Sequence, residues 1–93
     1  MIPNYRRFNE LRAKANEILK GHDSLEALLT KAVIEVSYMR QNETPEYAWD
    51  NVKNILSKCR THEPTSDEGR FRASINEMTY EERKGLKRLI ELL

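Results

Sequence analysis

A chain of 93 residues carries enough material for one domain and not for two. At 39% apolar and 33% charged residues, with three glycines and three prolines, it is too apolar for a disordered tail and too poor in turn formers for a β-sandwich. A net charge of +1 gives no global footprint for nucleic acid, and one cysteine cannot close an internal disulfide. Glu, Lys, Arg, Leu and Ala, all strong helix formers, carry much of the sequence. The expected fold class is therefore all-α. No apolar run of signal-peptide length opens the chain, and none approaches the roughly 18 residues of a membrane span. The expected address is the cytoplasm, with no membrane partner.

The first predicted helix covers about residues 4–20. Asn4 is a good N-cap, and Tyr5, Phe8, Leu11, Ala15, Ile18 and Leu19 recur on one face. Gly21 supplies a left-handed stop. Arg6 and Arg7 lie in the first turn, where the helix dipole disfavours cations.

A second helix, about 24–41, opens on Asp23 with Glu26 three residues on, in the pattern of a capping box. Leu25, Leu28, Leu29, Ala32, Val33, Val36 and Met39 form a broad stripe, while Ala27, Ile34 and Tyr38 fall together on the opposite side. A helix that is apolar on two sides is either central in the bundle or carries a second contact surface.

Thr44-Pro45 predicts a third helix over about 45–60, with Thr44 as N-cap and Pro45 at the first helical position. Ala48, Val52, Ile55, Leu56 and Cys59 make its buried face, with Trp49 on the flank. The short connection predicts an antiparallel hairpin with the second helix. After a polar stretch at 61–69, Phe71, Ile75 and Met78 mark a short helix over 67–77. Thr79 and Glu82 form a capping box for a last helix over 80–93, which Gly85 weakens by about 1 kcal/mol relative to alanine. The expected architecture is a compact bundle of four main helices plus one short one. Its expected core combines Phe8, Leu11, Leu28, Leu29, Ala32, Val36, Val52, Ile55, Leu56, Ile75, Leu86, Leu89 and Ile90.

Chemistry is thin in this sequence. Cys59 and His62 have the spacing of half a metal site, but zinc needs three or four ligands and no second Cys/His cluster exists. There is no Gly-rich phosphate loop, nucleophile elbow or calcium loop. The reading is of a chain that is not an enzyme, with no cofactor and no metal.

The last two helices could be drawn as a helix-turn-helix, but the second would open on Tyr80, Glu81 and Glu82, whose carboxylates repel a phosphate backbone. A basic patch remains if folding joins Arg6, Arg7, Arg12 and Lys14 to Arg70 and Arg72. For contact with another protein the candidates are Ile34 and Tyr38 on the second helix and Tyr47 on the third. The expectation is an interaction module, a small adaptor, inhibitor or regulatory subunit acting on a partner's surface. That partner is another protein or a second copy of the chain. The alternative is a nucleic-acid-associated regulator using the basic residues near the two ends.

Overall fold

The computed structural model describes residues 4–60 and 67–93, with the side chains of 67 and 68 left aside. It is all-α: five α-helices and one 3₁₀ turn, with no strand among the described residues. The helices are α1 (Arg6–Leu19), α2 (Leu25–Ser37), α3 (Glu46–Lys58), α4 (Asp67–Glu77) and α5 (Tyr80–Glu91), and the 3₁₀ turn is Gln41–Glu43.

α2 is the hub, in contact with each of the other four helices. Its most extensive neighbours are α1 and α4; α3, the expected hairpin partner, touches it over a smaller area. The composition of α2 accounts for this. Leu28, Leu29, Thr30, Ala32, Val33 and Val36 are all buried and spread over more than half of its circumference, with Lys31 exposed on the remainder. Thr30, a polar residue in that surface, is satisfied locally by donating its hydroxyl to the Glu26 carbonyl at 2.8 Å. Every residue of the expected core is buried except Leu89, which is half-buried at the edge of α5. Ala15, Leu19, Val33, Met39, Ala48, Cys59, Phe71 and Leu93 complete the core.

Several helix ends differ from the sequence reading, each for a local reason. Asn4 does act at the start of α1: its side-chain oxygen accepts from the Arg6 N–H at 3.0 Å, while Tyr5 takes the N-cap position. Gly21 is not left-handed, since no described glycine has positive φ. α1 instead ends through Lys20 in the right-handed region. The glycine serves proximity: a Cβ there would lie 3.1 Å from Leu28 Cδ2 and 3.2 Å from the Ile18 carbonyl oxygen.

The cap of α2 is Ser24, whose hydroxyl oxygen accepts from the Ala27 N–H at 3.3 Å. Asp23 instead pairs with Lys31 at 3.2 Å, and Glu26 is drawn to Arg83.

α2 also stops at Ser37, short of the expected 41. The Tyr38 and Met39 N–H groups bond back to Glu35 and Val36 in i→i+3 fashion, tightening the last turn. Beyond it, Thr44 supplies competing partners. Its hydroxyl donates to the Arg40 carbonyl at 2.7 Å and its N–H to the Gln41 carbonyl. Thr44 is therefore committed backwards and is not the N-cap of α3. The following proline holds it extended, and Pro45 itself takes the cap position.

α4 begins and ends where the sequence places it, and α5 opens on the full capping box: Thr79 accepts from the Glu82 N–H while Glu82 accepts from the Thr79 N–H.

Candidate functional site

The candidate groups from sequence fall into separate places. Ile34 is half-buried and packs against the core, so it belongs partly to the bundle. Tyr38, one turn further on at the end of α2, is 53% exposed, and Tyr47 in the first turn of α3 is 76% exposed. Tyr80 on α5 and Leu92 just past its end are also open to solvent. Lys84 lies 5.3 Å over the Tyr80 ring.

Among the basic residues, the first and last helices do meet: Arg12 donates to the Leu93 carbonyl at 3.3 Å and lies over the Phe8 ring. That bond engages part of the Arg12 guanidinium. Arg6 is paired with Glu10 at 3.2 Å, while Arg7 and Lys14 are exposed on α1 beside Glu10 and Glu17. Arg70 and Arg72 sit on α4, which leans on α2 and has no extensive contact with α1. Arg70 is half-buried, its Nε without a hydrogen-bond partner among the described residues, and Arg72 is exposed. The basic residues thus lie on two helices that are not packed together.

Cys59 is fully buried at the end of α3, and burial pushes its thiol up to about 12 against the opposing pull of Lys58 and Arg60. His62 lies outside the described residues. No group of three or more His, Cys, Asp or Glu is arranged for a metal among the described residues. A thiol in this state is a packing group. Native protein should react with a thiol reagent such as dithionitrobenzoate only as fast as it opens, with full reaction in 6 M guanidinium. Prompt stoichiometric labelling of native protein would show that Cys59 is not sealed in the core.

One concave site was not foreseen. α4 and α5 are consecutive but share no extensive contact of their own; both rest on α2. The space they leave against α3 is an open cleft of about 750 Å³. Asn54 and Lys58 line it from α3, Ser74 and Glu77 from α4, Met78 from the turn, and Glu82, Gly85, Leu86 and Leu89 from α5. Leu86 is buried at its base, while Met78 and Leu89 are half-buried. This explains the position of Leu89, which packs against the core on one side and lines the cleft on the other. Gly85 leaves the backbone of α5 bare there: a Cβ at that position would meet nothing within 4 Å. The signals in the sequence were a mid-helix glycine and an apolar stripe slightly too wide for the face it covers.

The rim carries opposite charges. Glu82 lies below its ordinary 4.5, chiefly because it accepts the Thr79 N–H, then through the Thr79 side chain, with Lys58 of α3 adding a smaller pull. A depressed carboxylate contributes stability above its unfolded value, and that contribution is lost as pH falls through the folded value. Glu82→Ala, which removes the carboxylate and leaves the Thr79 N–H without its acceptor, should therefore lower stability at pH 7. The difference from the parent, measured by urea melts across pH 7 to 3, should shrink below about 4.5. A gap that stays constant with pH would separate the cap from the Glu82 carboxylate.

No helix among the described residues is long and apolar enough to cross a membrane. No protein-family model, curated protein or solved structure matches this chain.

Proposed function

We propose that this chain is a non-enzymatic interaction module of the cytoplasm, a small adaptor, inhibitor or regulatory subunit that works by contact with another protein. The observation that supports this reading is the open cleft between α3, α4 and α5, an apolar floor with charged rims in a molecule whose remaining apolar side chains are mostly spent on its core. Tyr38 and Tyr47, exposed aromatics at the end of α2 and the start of α3, offer a second contact area, with Ile34 as its inner edge. The nucleic-acid alternative is the weaker reading, because Arg12 is bonded to the Leu93 carbonyl and Arg6 to Glu10.

The test is a tagged full-length chain incubated in lysate of its native host, with and without nuclease, and read by quantitative mass spectrometry. A stoichiometric protein that survives nuclease supports the module. Partners that vanish with nuclease transfer the function to the arginines, and no enriched partner at all removes the proposal. Tyr38→Ala and Tyr47→Ala are surface changes that should leave stability within about 0.5 kcal/mol of the parent. Any loss of capture in those variants therefore reports contact.

A further inference from the structure

α4 is attached to the molecule differently from its neighbours, and we infer that it is a latched helix: it peels off alone from the Met78–Thr79 junction while α1, α2, α3 and α5 stay folded, and the Arg83 side chain is the latch. The inference goes beyond the interaction-module reading and does not depend on it.

Three observations lead there. The first is the packing. α1 lies against both α2 and α5, α3 lies against the same two, and α2 lies against α5, so these four helices close on one another. α4 has α2 as its one extensive neighbour among the described helices. Lifting it away breaks that interface and leaves the other helix pairs in place. The second is the junction with α5. Both bonds of the capping box that starts α5 run between Thr79 and Glu82. α5 therefore keeps its start whether α4 is docked or not, and the chain before Thr79 can turn without unwinding it.

The third is what holds α4 down. Its buried face is short: Phe71, Ser74 and Ile75. Half-buried Arg70 keeps its Nε out of water with no hydrogen-bond partner among the described residues, so that group gains hydration when the helix lifts. At the other end a single side chain of α5 fastens the helix. Arg83 donates to the Ile75 and Asn76 carbonyls and pairs with Glu26 of α2. At 11 residues, α4 is too short to stay helical in water by itself, so the open form is a melted segment. Opening uncovers Phe71, Ile75 and the surface of α2 beneath them. The closed form dominates because that burial is given up on opening, and the open form is a trace species that melts do not register. Anything that draws Arg83 away from the two carbonyls shifts the balance toward it.

The experiment is native-state hydrogen exchange on the full chain, followed by NMR through low guanidinium concentrations, for the parent, Ala15→Gly and Arg83→Met. In the parent, the Ser74 and Ile75 amides should be at least tenfold less protected than those of Leu29 and Val33 in α2, with a shallower dependence on denaturant. Ala15→Gly is the deciding variant. Ala15 is buried in α1, which has no extensive contact with α4, so the glycine weakens the four-helix part equally whether α4 is docked or open. It should speed exchange at Leu29, Val33 and Val52 about fivefold, since these open only with the whole chain, and leave Ser74 and Ile75 unchanged. Arg83→Met weakens the docked form more than the open one and should speed Ser74 and Ile75 at least fivefold. The latch is overturned if the α4 amides share the protection and denaturant slope of α2, or if Ala15→Gly accelerates both sets alike, because α4 then opens only with the whole chain. Exchange at Ser74 and Ile75 that Arg83→Met leaves unchanged overturns it as well.

Discussion

Arg83→Met lowers the stability of this protein by about 2–3 kcal/mol in urea melts, the largest expected effect of any charged residue in the fold. Arg83 sits on α5, mostly buried, and its planar fork serves three acceptors on two other elements. Nε donates to the Ile75 carbonyl and Nη2 to the Asn76 carbonyl, both at 3.0 Å, while Nη1 pairs with Glu26 of α2. Ile75 and Asn76 close α4, whose last carbonyls have no partner inside the helix. The arginine therefore caps α4 from outside and ties it to α2 and α5 at once. Charge-assisted bonds of this kind are worth about 1.5–3 kcal/mol each when buried, but Glu26 retains about a third of its exposure, which screens the pair. Methionine keeps the apolar stem and loses the bonds.

Arg83→Lys should recover little of the loss, because a single ammonium cannot reach the three acceptors in that geometry. Glu26→Gln in the Arg83→Met background should cost less than Glu26→Gln alone, by on the order of 1 kcal/mol. If Arg83→Met melts within about 0.5 kcal/mol of the parent, the clamp contributes nothing and α4 is held by its apolar face alone.

Phe71→Ala is the larger loss, about 3–5 kcal/mol by the same measurement. Phe71 is fully buried, and with Ile75 and Ser74 it makes the buried face of α4 against the rest of the bundle. Arg60, just past the end of α3, lies 5.9 Å over its ring, so the truncation also strips a cation of its aromatic neighbour. Domains of this size are stable by about 5–15 kcal/mol, so the alanine variant stands near the limit of folding at 37 °C. Phe71→Leu keeps most of the volume and should cost no more than about 1.5 kcal/mol. An alanine variant as stable as the leucine one would mean that the ring does not fill the space it occupies here.

Both residues show what could and could not be read in advance. Phe71 was legible from its spacing with Ile75 and Met78, because an apolar stripe is a property of neighbouring positions. Arg83 was not: its acceptor on α2 lies 57 residues away in sequence, and only folding makes Glu26 its partner instead of a capping residue. The Thr79–Glu82 box formed as read because both partners sit within one turn and nothing else competes for them. Asp23–Glu26 has the same spacing and failed, since Ser24 offered a hydroxyl one residue later and Lys31 and Arg83 claimed the two carboxylates. The broad stripe of α2 spoke for a central helix, and α2 is central; the partial cover over Ile34 and the exposure of Tyr38 are matters of degree that periodicity does not resolve. The cleft was the least legible feature, because it arises where α4 and α5 stand apart on α2, and Gly85 and the wide stripe of α5 do not say which helices flank it.

The position of α2 also sets how the molecule comes apart. Every other helix packs on it, so no subset of the rest retains a core once it leaves, and unfolding should be a single cooperative event with no stable part-folded remainder. In native-state hydrogen exchange the amides of Leu29, Ala32, Val33 and Val36 should be among the slowest, opening only with the whole chain. The exposed end of α2 at Tyr38 should exchange by local fraying, orders of magnitude sooner.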